Sequence, residues 1–94
     1  MKTCYTNVRT SFIIGIIKEG ETGYYPTDIA ECNGLKSAKE IDAFVDEINA
    51  DMGITKGERK RMEIGSMFGW DAPGAQPGAW NDDGTPNRAK EGII

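Results

Sequence analysis

Two helix-start signals in close succession constrain this chain more than any other feature. Ser37-Ala38-Lys39-Glu40 and Thr55-Lys56-Gly57-Glu58 both have the pattern of a capping box. In that pattern a hydroxyl accepts from the backbone N–H three residues on, and the glutamate reaches back. After the first box, Ile41, Phe44, Val45, Ile48 and Met52 recur at the spacing of one helical face. Gly53 stands where a left-handed C-terminal cap belongs. The pattern predicts a helix from about Ala38 to Met52. The second box predicts a helix through Met62 and Ile64 to about Phe68, ended by Gly69. So short a link predicts a tight αα-hairpin.

Upstream of the helices the chain reads as β-structure. Phe12 to Ile17 carries four isoleucines in six positions, which disfavours a helix. Alternation puts Ile14 and Ile16 on one face and Ile13 and Ile17 on the other, so a central or doubly covered strand is expected. Lys18 to Gly23 has the polarity of a hairpin loop, with Tyr24 and Tyr25 starting the return. Pro26 limits that strand to a short or edge position. An earlier strand over Cys4 to Val8 is weakly patterned. The fold class expected is α+β: a small antiparallel N-terminal sheet, essentially a hairpin, packed by two consecutive helices, with an extended C-terminal tail.

Beyond Trp70 the character changes to Pro-Gly-Ala repeats, then to polar residues punctuated by glycine and proline. The organisation expected is one domain over 1–70 and a Pro/Gly-rich tail over 71–94 packed on it. Trp70 and Trp80 are its anchors, with Ile93 and Ile94 as a further one. With 94 residues there is room for one core, not two.

The inventory of reactive groups is short. There is no histidine, which removes Ser-His-Asp and Cys-His catalysis together with the commonest metal ligand. Cys4 and Cys32 form no C-x-x-C pair, and both are expected as free thiols of a reducing, cytoplasmic compartment. Asp82-Asp83-Gly84 fails the calcium-loop register and reads as a turn. The glycines of Gly65 to Gly69 fall near a helix C-terminus, the wrong end of the dipole for phosphate. The longest apolar run, Phe12 to Ile17, is too short for a membrane helix. Neither catalytic residues, nor a metal, nor a cofactor is expected.

What remains is surface. Tyr24 and Tyr25 beside Pro26, taken with Trp70 and Trp80, suit either a tail strapped across the sheet or a docking patch for another protein or another copy. Lys56, Arg59, Lys60 and Arg61 form the one basic cluster, and a nucleic-acid-binding reading requires all four on one exposed stripe. The net charge of −4 argues against that reading. A third reading, a small enzyme or ligand binder, requires a deep pocket lined by Tyr24, Tyr25 and Trp70.

Over Gly23 to Pro26 and Gly65 to Trp70, with their Gly-Tyr-Tyr-Pro turn and Gly-Ser-Met-Phe-Gly-Trp segment, the chain resembles small uncharacterised proteins of bacteriophages and mobile elements. The resemblance implies a viral or mobile-element protein working in a bacterial host's cytoplasm. By analogy with other small non-enzymatic proteins of such elements, it implies an accessory or inhibitor that occludes a host protein, such as a component of CRISPR defence. Its alternative is the nucleic-acid accessory factor. Self-association is compatible with each reading.

Overall fold

The computed structural model describes residues 2–8 and 12–87. The expectation for Ile93 and Ile94 lies outside them. Three antiparallel strands, β1 (Thr3–Val8), β2 (Ile13–Lys18) and β3 (Tyr25–Pro26), form a sheet in the order β1-β2-β3. A short helix α1 (Ile29–Cys32) precedes α2 (Ala38–Asp51) and α3 (Lys56–Phe68), and a 3-10 turn covers Pro73–Ala75. The α+β class holds, with β1 a full strand rather than a marginal one.

The caps act as their chemistry requires. Ser37 Oγ accepts from the Glu40 N–H at 3.1 Å and Thr55 Oγ1 from the Glu58 N–H at 3.1 Å. Gly53, at φ +77°, reverses the chain between the helices in a conformation that residues with a Cβ rarely adopt.

The central strand decides the layering. Ile14 and Ile17 are 0% and 2% exposed, and an odd spacing puts them on opposite faces. Ile14 packs with Ala30 of α1 and with Ile41 and Val45 of α2. Ile17 packs with Cys4, Ile54 and Met62, and Trp70 closes against that cluster. The sheet therefore lies between α1 and α2 on one side and α3 on the other. This corrects the expectation of a tight αα-hairpin. Each helix has its own apolar stripe and β2 has two apolar faces, so covering the sheet twice buries more than pairing the helices with each other.

The tail is corrected too. It does not cross the sheet; its described part returns along the outside of α3. The Trp70 ring lies against Gly65, where any Cβ would collide with it, and its Nε1–H donates to the Glu21 carbonyl at 2.8 Å. Gly74 lies against Ile64, and Gly57 beneath the Asn81 backbone and Trp80. Small residues on α3 thus admit the tail to close range. The Asp83 turn is confirmed: its carboxylate accepts from the Thr85 N–H at 2.9 Å, before the chain pairs back at Trp80 and Pro86.

Candidate functional site

Helix α3 carries two different surfaces. Its first half holds the basic cluster, and the structure divides that cluster in two. Lys56 and Lys60 are exposed, but Arg59 and Arg61 are buried, 9% and 5% exposed. Arg59 reaches Asp42 at 2.7 Å and Asp46 at 3.0 Å on α2, and Glu63 at 3.0 Å one turn along α3. Burial opposes its charge, and the three carboxylates more than restore it, holding the guanidinium above its ordinary pKa. Arg61 pairs with Glu58 at 3.0 Å and Glu19 at 2.6 Å, and donates to the Ala75 carbonyl at 3.0 Å. The four cations do not form one exposed stripe, because two of them tie α3 to α2, to the end of β2 and to the tail. Lys60 Nζ stands 4.6 Å from the Trp80 ring.

The aromatic residues are also separated. Tyr25 lies on the α2 side of the sheet opposite Ile16, donates its hydroxyl to Glu21 and lies beneath Lys18 Nζ at 4.7 Å. Trp70 and Trp80 are half-buried anchors of the tail; Trp80 Nε1–H donates to the Gly74 carbonyl at 2.8 Å. Tyr24 alone faces open space on the α3 side, its ring over Gly15. Tyr24, Tyr25 and Trp70 therefore line no common pocket.

Tyr24 instead borders a groove of about 420 Å³ between the sheet and the second half of α3. Thr6, Val8 and Ile17 form its floor, and Glu63, Ser66 and Met67 its far wall. The absence of a side chain at Gly15 helps to open it: a Cβ there would stand 3.0 Å from the Tyr24 ring and 3.2 Å from Val8. Of its lining residues Met67 is 72% exposed and Tyr24 48%, and Phe68, next to Met67 in the chain, is 73% exposed. Phe12, 51% exposed, lies one residue beyond the Val8–Ile13 pair.

The side-chain polar groups of Thr6, Glu63 and Ser66 in the groove are bonded within the protein. Thr6 Oγ1 donates to Glu63, whose carboxylate also accepts from Arg59. Ser66 Oγ donates to the Glu63 carbonyl at 3.0 Å, and the Ser66 carbonyl accepts from the Gly23 N–H at 3.0 Å. The groove thus favours apolar groups.

By sequence, Met62, Ile64, Met67 and Phe68 are the apolar positions of this helix and spread wider than a single stripe. The available signal was the helical angle: at about 100° per residue, Met67 stands about 140° from the buried Met62 and Phe68 about 240°. Gly65 and Ser66 turn inward instead, both buried.

Neither thiol is activated as a nucleophile. Cys4 is fully buried, and burial, assisted by Glu63, pushes it up to about 12. Cys32 is exposed, and neighbouring Asp28 raises its pKa too. A raised pKa leaves little thiolate, the nucleophilic form. Among the described residues no group of three or more Cys, Asp or Glu is placed to hold a metal, and no helix is long and apolar enough to cross a membrane. Set against models of known families, curated proteins and solved structures, the chain matches none.

Proposed function

We propose that this chain is a small non-enzymatic binding protein that docks on another protein through the apolar end of α3. Tyr24, Met67 and Phe68 form the contact face and the adjacent groove receives an apolar side chain of the partner. The observation that carries the reading is the exposure of the consecutive residues Met67 and Phe68, the first of them lining a groove in which Thr6, Glu63 and Ser66 are already bonded within the protein. A small ligand would fill the groove and leave those two side chains in water, whereas a protein surface covers both. Large apolar side chains grouped at one place are typical of such contacts. The resemblance to phage and mobile-element proteins supplies the setting: occlusion of a host protein, for example in a defence system.

The alternative, a nucleic-acid accessory factor, is the weaker proposal. It retains Lys56 and Lys60, since Arg59 and Arg61 are engaged in ion pairs.

The test is reconstitution. A partner recovered from a bacterial lysate is purified and titrated with wild type, Met67→Asp, Phe68→Asp and a Lys56→Glu/Lys60→Glu double variant. The proposal expects the two aspartate variants to lose about tenfold or more in affinity, roughly 1.4 kcal/mol each, and the lysine variant to bind as wild type. Loss in the lysine variant alone, with a nucleic acid as the recovered ligand, would favour the alternative.

A further inference from the structure

Met67 and Phe68 stand at the negative end of a helix dipole. Helix α3 ends at Phe68, and its last turn holds no basic residue. The carbonyls of a helix C-terminus carry roughly half a negative charge, which a nearby cation ordinarily offsets. At the end of α2 the Asn49 and Ala50 carbonyls are closed off by the N–H groups of Met52, Gly53 and Ile54. On α3 the Gly65 and Ser66 carbonyls accept from Gly69 and Gly23. Those of Met67 and Phe68 accept from no backbone N–H among the described residues.

Two carboxylates add to this field. Asp71 is exposed just past the end of α3, its Oδ1 3.0 Å from where a Cβ on Gly69 would stand. Its carboxylate has no hydrogen-bond or ion-pair partner among the described residues. Glu63 lines the groove itself, and its Oε2 takes both of its bonds, from Thr6 and Arg59, leaving Oε1 open. No lysine or arginine among the described residues lines the groove. The neighbouring cations are committed elsewhere: Arg61 to Glu58 and Glu19, Lys60 over the Trp80 ring, and Lys18 over Tyr25 on the opposite face of the sheet.

Resting on the docking face proposed above, we infer that its partner is a protein whose contact segment sets an arginine or lysine next to its apolar anchor. The anchor fills the groove between Tyr24 and Met67. The cation meets Asp71 and the open carbonyls of Met67 and Phe68, with Glu63 adding to the field from within the groove. Arginine suits the place better than lysine, because its planar fork donates to a carboxylate and a carbonyl at once. The same field disfavours an acidic segment and a phosphate backbone. Charge complementarity of this kind selects among partners more than it adds affinity.

The test titrates the full chain, isotope-labelled at its methionine methyls, with short capped peptides that each carry one leucine. One series places an arginine at successive distances from the leucine, and matched series place glutamate or glycine there. The Met67 methyl signal, assigned through Met67→Leu, reads binding by NMR. The best arginine peptide should bind about two- to fivefold tighter than its glycine match, the size of an exposed charge contact, and the glutamate match should bind weakest. Asp71→Asn should remove most of that advantage, as should raising the salt to about 0.3 M. Asp71 is exposed, so its replacement leaves the fold intact. Arginine and glutamate peptides that shift Met67 with equal affinity would overturn the inference and leave the docking face standing. An arginine advantage unchanged in Asp71→Asn would overturn it too. No shift at Met67 from any peptide would count against the docking face itself.

Discussion

The two halves of α3 reverse the usual relation between polarity and burial. Its first half is rich in charge, yet Arg59 and Arg61 lie inside, held by five carboxylates from α2, α3 and the end of β2. Its last turn is apolar, yet Met67 and Phe68 stand in water beside a groove. A long cation that finds enough carboxylates becomes part of the scaffold. An apolar side chain that finds no cover becomes a contact surface. In this helix the charged half supplies rigidity, and under the proposed function the apolar end supplies recognition.

The sharpest way to break that contrast is to truncate each half. Arg59→Ala removes the cation that Asp42, Asp46 and Glu63 share. The carboxylates are about a third exposed, so the loss belongs at the lower end of the range for a broken buried pair, about 3 kcal/mol. Met67→Ser and Phe68→Ser should each change stability by no more than about 0.5 kcal/mol. Urea denaturation measures both, and equal losses would dissolve the distinction.

A smaller effect tests how the tail is held. Gly65→Ala puts a Cβ into the Trp70 ring, and overpacking of this kind costs about 1–3 kcal/mol. The displaced indole should also lose its bond to Glu21, with a red shift in tryptophan emission. An unshifted spectrum would mean that the tail does not depend on the close approach at Gly65.

Acid titration probes the charged half more gently. The Glu58 carboxyl lies below its ordinary value of 4.5, chiefly because Arg61 bonds to it, with Lys2 adding to the effect and partial burial opposing it. A carboxyl depressed in the folded state contributes stability above its unfolded pKa and loses it as the pH falls through the folded value. Stability should therefore decline below about pH 4.5, and Glu58→Gln should decline less steeply over that window. Parallel pH profiles for the two proteins would remove Glu58 from the account.

Thiol labelling gives the smallest effect on stability and a clean spatial reading. Cys32 is exposed and should react in the native protein, while Cys4, beneath α3, should react only on unfolding. Labelling Cys32 should shift stability by less than about 0.5 kcal/mol. Native labelling of Cys4 would show that α3 lifts readily from the sheet.

Sequence legibility follows how far apart the interacting residues are. The helices were readable because Ser37 to Glu40 and Thr55 to Glu58 act within four residues. The expected first helix differs from α2 by one residue at its end. Strand β2 was readable from its isoleucines. Strand β1 was readable only weakly, because its buried Thr6 bonds to Glu63 and the Asn7 amide N–H to the Ala38 carbonyl, far along the chain. The fate of the arginines was hidden for the same reason: Arg59 takes Asp42 and Asp46 from another helix. Of the candidate site, Tyr24 was legible from composition. For Met67 and Phe68 the helical angle was an available signal, and the inward face became fixed only with the contact of Gly65 and the Trp70 ring.

Site-specific photo-crosslinking tests the division of α3 most directly. A photoreactive amino acid is placed at position 67 in one variant and at position 60 in another, and each is exposed in bacterial cells. The account predicts one discrete protein adduct from position 67, abolished by Phe68→Asp, and none from position 60. An adduct from position 60 with none from position 67 would contradict it, placing recognition on the charged half.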